Sequence, residues 1–189
     1  MTQDQVTYQT FDPKVEVHGQ PMQTFLECIT KSSVKRVLDK LEIKEIDPEK
    51  WYPQQLWMDI FNELAAKKLK LSTFVDLGMR VIELTRYPEE VKNIPFVDFM
   101  VGGANQTHSH NHRGGDAGDY DVSLVADNHI VVKARVPYPD DFVYGCFYQL
   151  TKQFKPEGST FSVKYDPNLK KRENGGERTV INITWSLKK

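Results

Sequence analysis

After Gly118 the apolar residues of this chain stop recurring every three to four positions and begin recurring every second one. That change constrains the fold more than any single motif. Side chains at i, i+3 and i+4 share a face of a helix, whereas alternate residues share a face of a strand, so a change of period marks a change of element. Tyr120, Val122 and Leu124 alternate with polar residues, as do Ile130, Val132, Ala134 and Val136 on the far side of Asp127-Asn128. Asp and Asn tolerate positive φ, so the pair predicts a tight turn and the two runs a hairpin. Pro139-Asp140-Asp141 then opens a helix: Asp140 can cap it, and both carboxylates favour the positive helix end. Val143, Cys146, Phe147, Leu150 and Phe154 form its apolar face, and Pro156 and Gly158 stop it. A second hairpin pairs Phe161, Val163 and Tyr165 with Thr179, Ile181, Ile183 and Trp185. The loop between them, Asp166 to Gly176, is rich in Lys, Arg, Asn and Gly and is expected to be mobile. Consecutive hairpins tend to be neighbours, so β-β-α-β-β predicts one four-stranded antiparallel sheet with a helix against it.

Upstream the period is helical. Val34, Val37, Leu38 and Leu41 share one face, with Ser32 or Ser33 as N-cap. Pro53 can open a helix at no hydrogen-bond cost, and Leu56, Trp57, Ile60, Phe61 and Leu64 supply its apolar side. A third helix opens near Ser72, carries Val75, Met79 and Ile82, and ends before Pro88. A fourth runs from Phe96 toward Gln106, interrupted by Gly102-Gly103. The predicted class is α+β, with an N-terminal helical segment packed on the hairpin–helix–hairpin unit. The predicted organisation is a single domain over 1–189: an N-terminal arm over 1–30, a helical part over 31–107 and the β-β-α-β-β part over 118–187.

At 189 residues the chain can bury a core without staples. Its 25 basic and 26 acidic residues give a formal net charge of −1, which argues against a broad electrostatic footprint for nucleic acid or anionic lipid. No apolar run approaches the roughly 20 residues that span a bilayer, and the first ten residues lack a secretion signal. Cys28 and Cys146 stand far apart, without a C-x-x-C motif, and read as buried, reduced thiols. These features predict a cytoplasmic protein.

The most conspicuous local run is Thr107-His-Ser-His-Asn-His-Arg-Gly-Gly-Asp116. Neutral imidazoles are common metal ligands; His108, His110 and His112 would share a face if the segment were extended, and Asp116 could add an oxygen. The competing reading is a solvent-exposed turn between the last helix and the first strand; if the run is helical, residues two apart do not face one another. Gly114 and Gly115 could expose backbone N–H groups to an anion, with Arg113 meeting a carboxylate on a ligand. The alternative is a tight turn closed by an Arg113–Asp116 pair. No nucleophile–base pair, phosphate loop or dinucleotide fingerprint occurs. Asp140 and Asp141 are accounted for by the helix start. Trp57, Tyr144 and Tyr148 either belong to the core and a dimer contact or line an apolar pocket.

The succession of apolar helices and hairpin–helix–hairpin resembles a known superfamily, shared by haem-nitric-oxide-binding (H-NOX) domains, 4-vinyl-reductase-type domains and TRAPP trafficking subunits. The residues that carry the resemblance are Phe96-Val-Asp-Phe-Met-Val101, Phe142-Val-Tyr-Gly-Cys-Phe-Tyr-Gln-Leu150, Phe161-Ser-Val-Lys-Tyr165 and Val180-Ile-Asn-Ile-Thr-Trp185. It covers Phe96 to Trp185 closely and the N-terminal helices in outline. The resemblance implies an axial histidine on the helix that starts near Phe96. By spacing that position falls close to Ala104, and the nearest histidine is His108, one turn later. It also implies a Tyr-x-Ser-x-Arg clamp for haem propionates. The matching stretch reads Ile130-Val-Val-Lys-Ala-Arg-Val136, keeping Lys133 and Arg135 but neither the Tyr nor the Ser. The resulting expectation is a non-catalytic sensor or regulatory domain, homodimeric and acting through a partner protein. It would hold a small apolar or carboxylate-bearing ligand between the N-terminal helices and the sheet, with Arg113 or Arg135 at the polar end. Haem and a metal ion are the cofactors to test; a metal-binding protein or metalloenzyme built on the histidine run, and a ligand-free dimeric scaffold, are the competing readings.

Overall fold

The half with period 2 folds as its alternation predicts. The computed structural model describes residues 6–29, 31–66 and 72–187. Strand β4 (Asp119–Ala126) pairs antiparallel with β5 (His129–Arg135), and Ala126 lies opposite His129 across the two-residue Asp127-Asn128 turn. Helix α7 (Asp140–Phe154) follows, then β6 (Ser159–Tyr165) and β7 (Thr179–Leu187). The sheet order is β4-β5-β7-β6, so the two hairpins join through β5 and β7, with Val132 opposite Ile181 and Ile130 opposite Ile183. These four side chains are fully buried. Alternate residues such as Lys133 and Asn182 take the other face.

The helices α1 (Gly19–Glu27), α2 (Lys31–Lys40), α3 (Gln54–Ala66), α4 (Ser72–Leu84), α5 (Glu89–Lys92) and α6 (Phe96–His110) precede the sheet. The stretch read as an N-terminal arm contains α1, whose Met22, Phe25 and Leu26 share a buried face at i, i+3, i+4. It also contributes β1 (Glu16–His18), the centre of a small antiparallel sheet with β2 (Trp51–Pro53) and β3 (His112–Arg113). Strands of two or three residues are too short to show a period. Pro53 therefore ends β2 instead of opening a helix, and α3 starts one residue later. Helix α2 contains both Ser32 and Ser33; their side chains, and with them the expected N-cap, lie outside what is described.

Helix α4 crosses α7 at close quarters because each has a glycine at the crossing. A Cβ on Gly78 would stand 2.1 Å from the carbonyl oxygen of Phe142, and one on Gly145 would stand 2.1 Å from that of Val75. Backbones approach this closely only where there is no side chain between them. The crossing joins the helical half to the helix that backs the sheet, and the core runs through it as one cluster from Met22 and Phe25 to Ile181 and Ile183. Among the described residues, no helix is long and apolar enough to cross a membrane.

Candidate functional site

Helix α6 does not break at Gly102-Gly103. It continues to His110 and so carries two of the three histidines. His108 and His112 are four apart, and their ring centroids lie 4.1 Å from each other. His108 is buried, while His110 is exposed. The hydrogen bonds set the tautomers. His108 Nε2 donates to the Ala117 carbonyl at 3.1 Å, and His112 Nδ1 donates to the His108 carbonyl at 2.7 Å. His112 Nε2 is therefore an acceptor, and the Tyr138 hydroxyl donates to it at 2.6 Å. Gln54 Nε2 donates to the same hydroxyl at 3.4 Å, and Gln54 Oε1 accepts from Thr10 Oγ1 at 2.5 Å. A chain of polar contacts thus links α6, the β5–α7 connection, α3 and the N-terminal segment. Burial holds His108 below the usual imidazole range; burial and the neighbouring His108 ring push His112 down to about 3. Both imidazoles are neutral at ordinary pH.

The metal set read from the sequence is dispersed. Among the described residues no group of three or more His, Cys, Asp or Glu stands where it could hold a metal ion. Asp116 turns away from the histidines to Arg135, which donates to it from both Nη atoms at 3.0 and 2.5 Å. Those bonds, with one from the Gly118 amide, hold the Asp116 carboxyl down at about 2. The turn pair is therefore Arg135–Asp116 rather than Arg113–Asp116. Arg113 instead meets Glu16 at 2.7 Å and lies over the Trp51 ring at 4.4 Å, while Arg135 lies over Phe11 at 4.7 Å. Both guanidinium groups are committed to side chains on the surface.

The three aromatic candidates do not line one pocket. Trp57 is buried on α3 against Phe25 and Tyr138, and its Nε1 has no hydrogen-bond partner among the described residues. Tyr144 and Tyr148 sit on a different face of α7, against strand β6: the Tyr144 hydroxyl donates to the Val163 carbonyl, and the Tyr148 ring packs on Phe161. The volume between the N-terminal helices and α7 is filled by rings in mutual contact. Phe25 lies 4.9 Å from Phe61 and 5.7 Å from Phe142, Phe61 lies 5.1 Å from Phe142, and Tyr138 lies 6.2 Å from both Phe61 and Phe142.

A second cluster, not anticipated from the sequence, lies at the start of α7. Pro139 is the N-cap residue, and Asp140 is the first helical residue instead of the cap. The Asp140 carboxylate accepts from Thr179 Oγ1 at 2.5 Å and from the Glu173 amide at 2.9 Å, and the Glu173 carboxylate accepts from the Asp140 amide at 2.9 Å. Lys171 reaches Asp141 at 3.1 Å, and Arg172 reaches the Tyr138 carbonyl at 3.1 Å. The connection expected to be mobile is pinned, and it contains a 3₁₀ turn at Arg172–Asn174. Its residue types look like those of a solvated loop, and the partners of Lys171 and Arg172 are 30 and 34 positions away, so no local signal exposes them. Burial and the Asp140 charge raise the Glu173 carboxyl above its usual range.

Haem, which the family resemblance implies, does not fit the residues present. The axial position that the resemblance implies falls close to the half-buried Ala104, and the nearest histidine, His108, one turn later, spends Nε2 on Ala117. Arg135 is bound to Asp116, and Lys133 faces Asp121 at 3.6 Å. Both cations are paired with carboxylates of the chain itself.

No protein-family model matches the chain, and no curated protein sequence is similar to it. Solved structures are similar in fold. An H-NOX protein from S. oneidensis in the Fe(II)NO ligation state superposes with a TM-score of 0.69 at 12% identity, over 89% of this chain and 99% of that one. An oxygen-binding H-NOX domain related to soluble guanylate cyclases gives 0.65 at 17%, over 90% and 96%. A mutant of T. tengcongensis H-NOX gives 0.65 at 18%, over 89% and 94%. The helical half and the four-stranded sheet together make up the H-NOX fold.

Proposed function

We propose that this chain is a non-catalytic regulatory domain that binds a small ligand and passes its state to a partner protein, without haem held as in haem-binding relatives of the fold. The observation that carries the reading is the likeness, along nearly the whole chain, to H-NOX structures described with oxygen or NO as ligand. It is a fold-level argument, so the site has to be argued separately. Because rings in mutual contact occupy the space between the N-terminal helices and α7, the ligand of this proposal is taken to a groove elsewhere. A groove of about 810 Å³ between α1 and α2 is lined by the apolar Leu26, Ile29, Val34, Leu38 and Ile43 and by the charged Glu27, Lys35, Asp39, Glu42 and Lys44. That is the size of a small-molecule site, with an apolar floor for the body of a ligand and charged side chains around it. Lys44 has no ion-pair partner among the described residues, which suits a ligand with an aliphatic body and a carboxylate.

The test is native mass spectrometry of the purified protein, with a thermal-shift series of medium-chain carboxylic acids on the wild type and on Leu38→Glu. A bound mass or a concentration-dependent rise in Tm, lost in the variant, is expected. Neither a bound mass nor any stabilising acid would remove the ligand from the proposal. The filled interior favours one second reading, a homodimeric interaction scaffold without ligand. It predicts a dimer mass and no ligand mass in the same spectra.

A further inference from the structure

We infer that the place of the cofactor in this fold is taken by the chain's own side chains, with Tyr138 as the wedge that fastens the end of α6 to the core. Tyr138 stands between Pro137 and Pro139. Proline fixes its own φ and restricts the residue before it to extended conformations, so the Pro-Tyr-Pro segment presents the ring from a stiff backbone. The ring is 4% exposed. It meets Trp57 at 5.2 Å on the α3 side and His112 at 5.9 Å on the α6 side. Its hydroxyl donates to His112 Nε2 and accepts from Gln54 Nε2, so one oxygen joins the start of α3 to the end of α6.

On α6 the residues Met100, Ala104 and His108 recur every four positions, and His112 continues the row just past the helix end. Met100 and His108 are buried, and Ala104 between them packs on the core. The row that the resemblance assigns to an axial ligand therefore has a methyl close to that position, and the histidine one turn on, His108, is engaged with the Ala117 carbonyl. Its polar attachment lies two turns further on, at His112. An attachment made entirely of side chains is complete when the chain folds. α6 is thus held in the apo protein, and haem has neither a ligand nor a space to enter. This inference depends on the haem clause of the proposed function and not on the α1–α2 groove, so its failure would leave the groove reading standing.

The experiment is amide hydrogen exchange on the wild type, Tyr138→Phe, His112→Phe and the double variant, each with and without one equivalent of haem, with absorbance spectra of the same samples. Tyr138→Phe removes one oxygen and leaves the ring in place. Exchange over Thr107–Arg113 is expected to rise at least tenfold in either single variant and no further in the double, while β5 and β7 keep their protection. No sample is expected to show a Soret band of bound haem, and haem is expected to leave the exchange unchanged. Stoichiometric haem binding by the wild type would overturn the inference. So would unchanged α6 exchange in both single variants, or a double variant that exchanges as the sum of two independent losses.

Discussion

His112 is held as a neutral acceptor, and that has a consequence for stability. Its folded pKa of about 3 lies below the ordinary 6.5 of an unfolded histidine. The folded state therefore binds fewer protons between these values. The stabilisation is full above pH 6.5 and is lost as pH falls from there toward 3. The urea midpoint of the wild type should drop between pH 7 and pH 4 more than that of His112→Gln, which can still accept from Tyr138 but cannot titrate; parallel pH profiles would contradict this. Trp57 presents the reverse case, a buried donor without an acceptor among the described residues. Leaving such a group unpaired costs about 1–3 kcal/mol. Trp57→Phe removes that cost along with some apolar contact. Its net change in unfolding free energy is expected to stay within about 1 kcal/mol, small for a buried tryptophan, as urea titration will show.

At the scale of elements, the α4–α7 crossing and the pinned β6–β7 connection are the two joints that most of the architecture passes through. Gly145→Ala adds a methyl 2.1 Å from the Val75 carbonyl, closer than any side chain tolerates, so the helices must separate. Overpacking of this kind costs about 1–3 kcal/mol, and the better helix propensity of alanine recovers less than that. A lower urea midpoint with an unchanged m-value is the expected result. The β6–β7 connection is held by the reciprocal Asp140–Glu173 bonds. Glu173→Ala removes the carboxylate that accepts from the Asp140 amide. Limited trypsin digestion should then cut after Lys170, Lys171 or Arg172 at least several-fold faster than in the wild type, and equal cleavage rates would show that Lys171 and Arg172 suffice.

At the scale of the molecule, the lack of a third ligand beside His108 and His112 among the described residues, and the Arg135–Asp116 pair, predict that dialysis against a strong chelator leaves Tm unchanged and that elemental analysis finds no stoichiometric transition metal. A chelator-dependent Tm would restore the metal reading.

The two hairpins, α7, α3 and α4 were legible because long apolar runs with one period carry their own evidence: Ile130 and Val132 on one strand, Leu64 and Phe61 on one helix, Asp127-Asn128 at the turn between β4 and β5. β1, β2 and β3 were not legible. Two or three residues form a strand only when a partner supplies the hydrogen bonds, and Val17 finds its partners at Tyr52 and His112, 35 and 95 positions away. The histidine run shows the same division. Its residue types and the four-residue spacing of His108 and His112 were in the sequence. Whether the imidazoles would gather a metal, or one of them accept a hydrogen bond from a tyrosine, depended on where Tyr138, Gln54 and Asp116 lay in space. The chain's own order determined its classes of element and their succession, because backbone period and turn chemistry act between near neighbours. The tertiary structure alone decided which polar groups were buried together, because burial and hydrogen bonding between distant residues exist only once the chain has closed on itself.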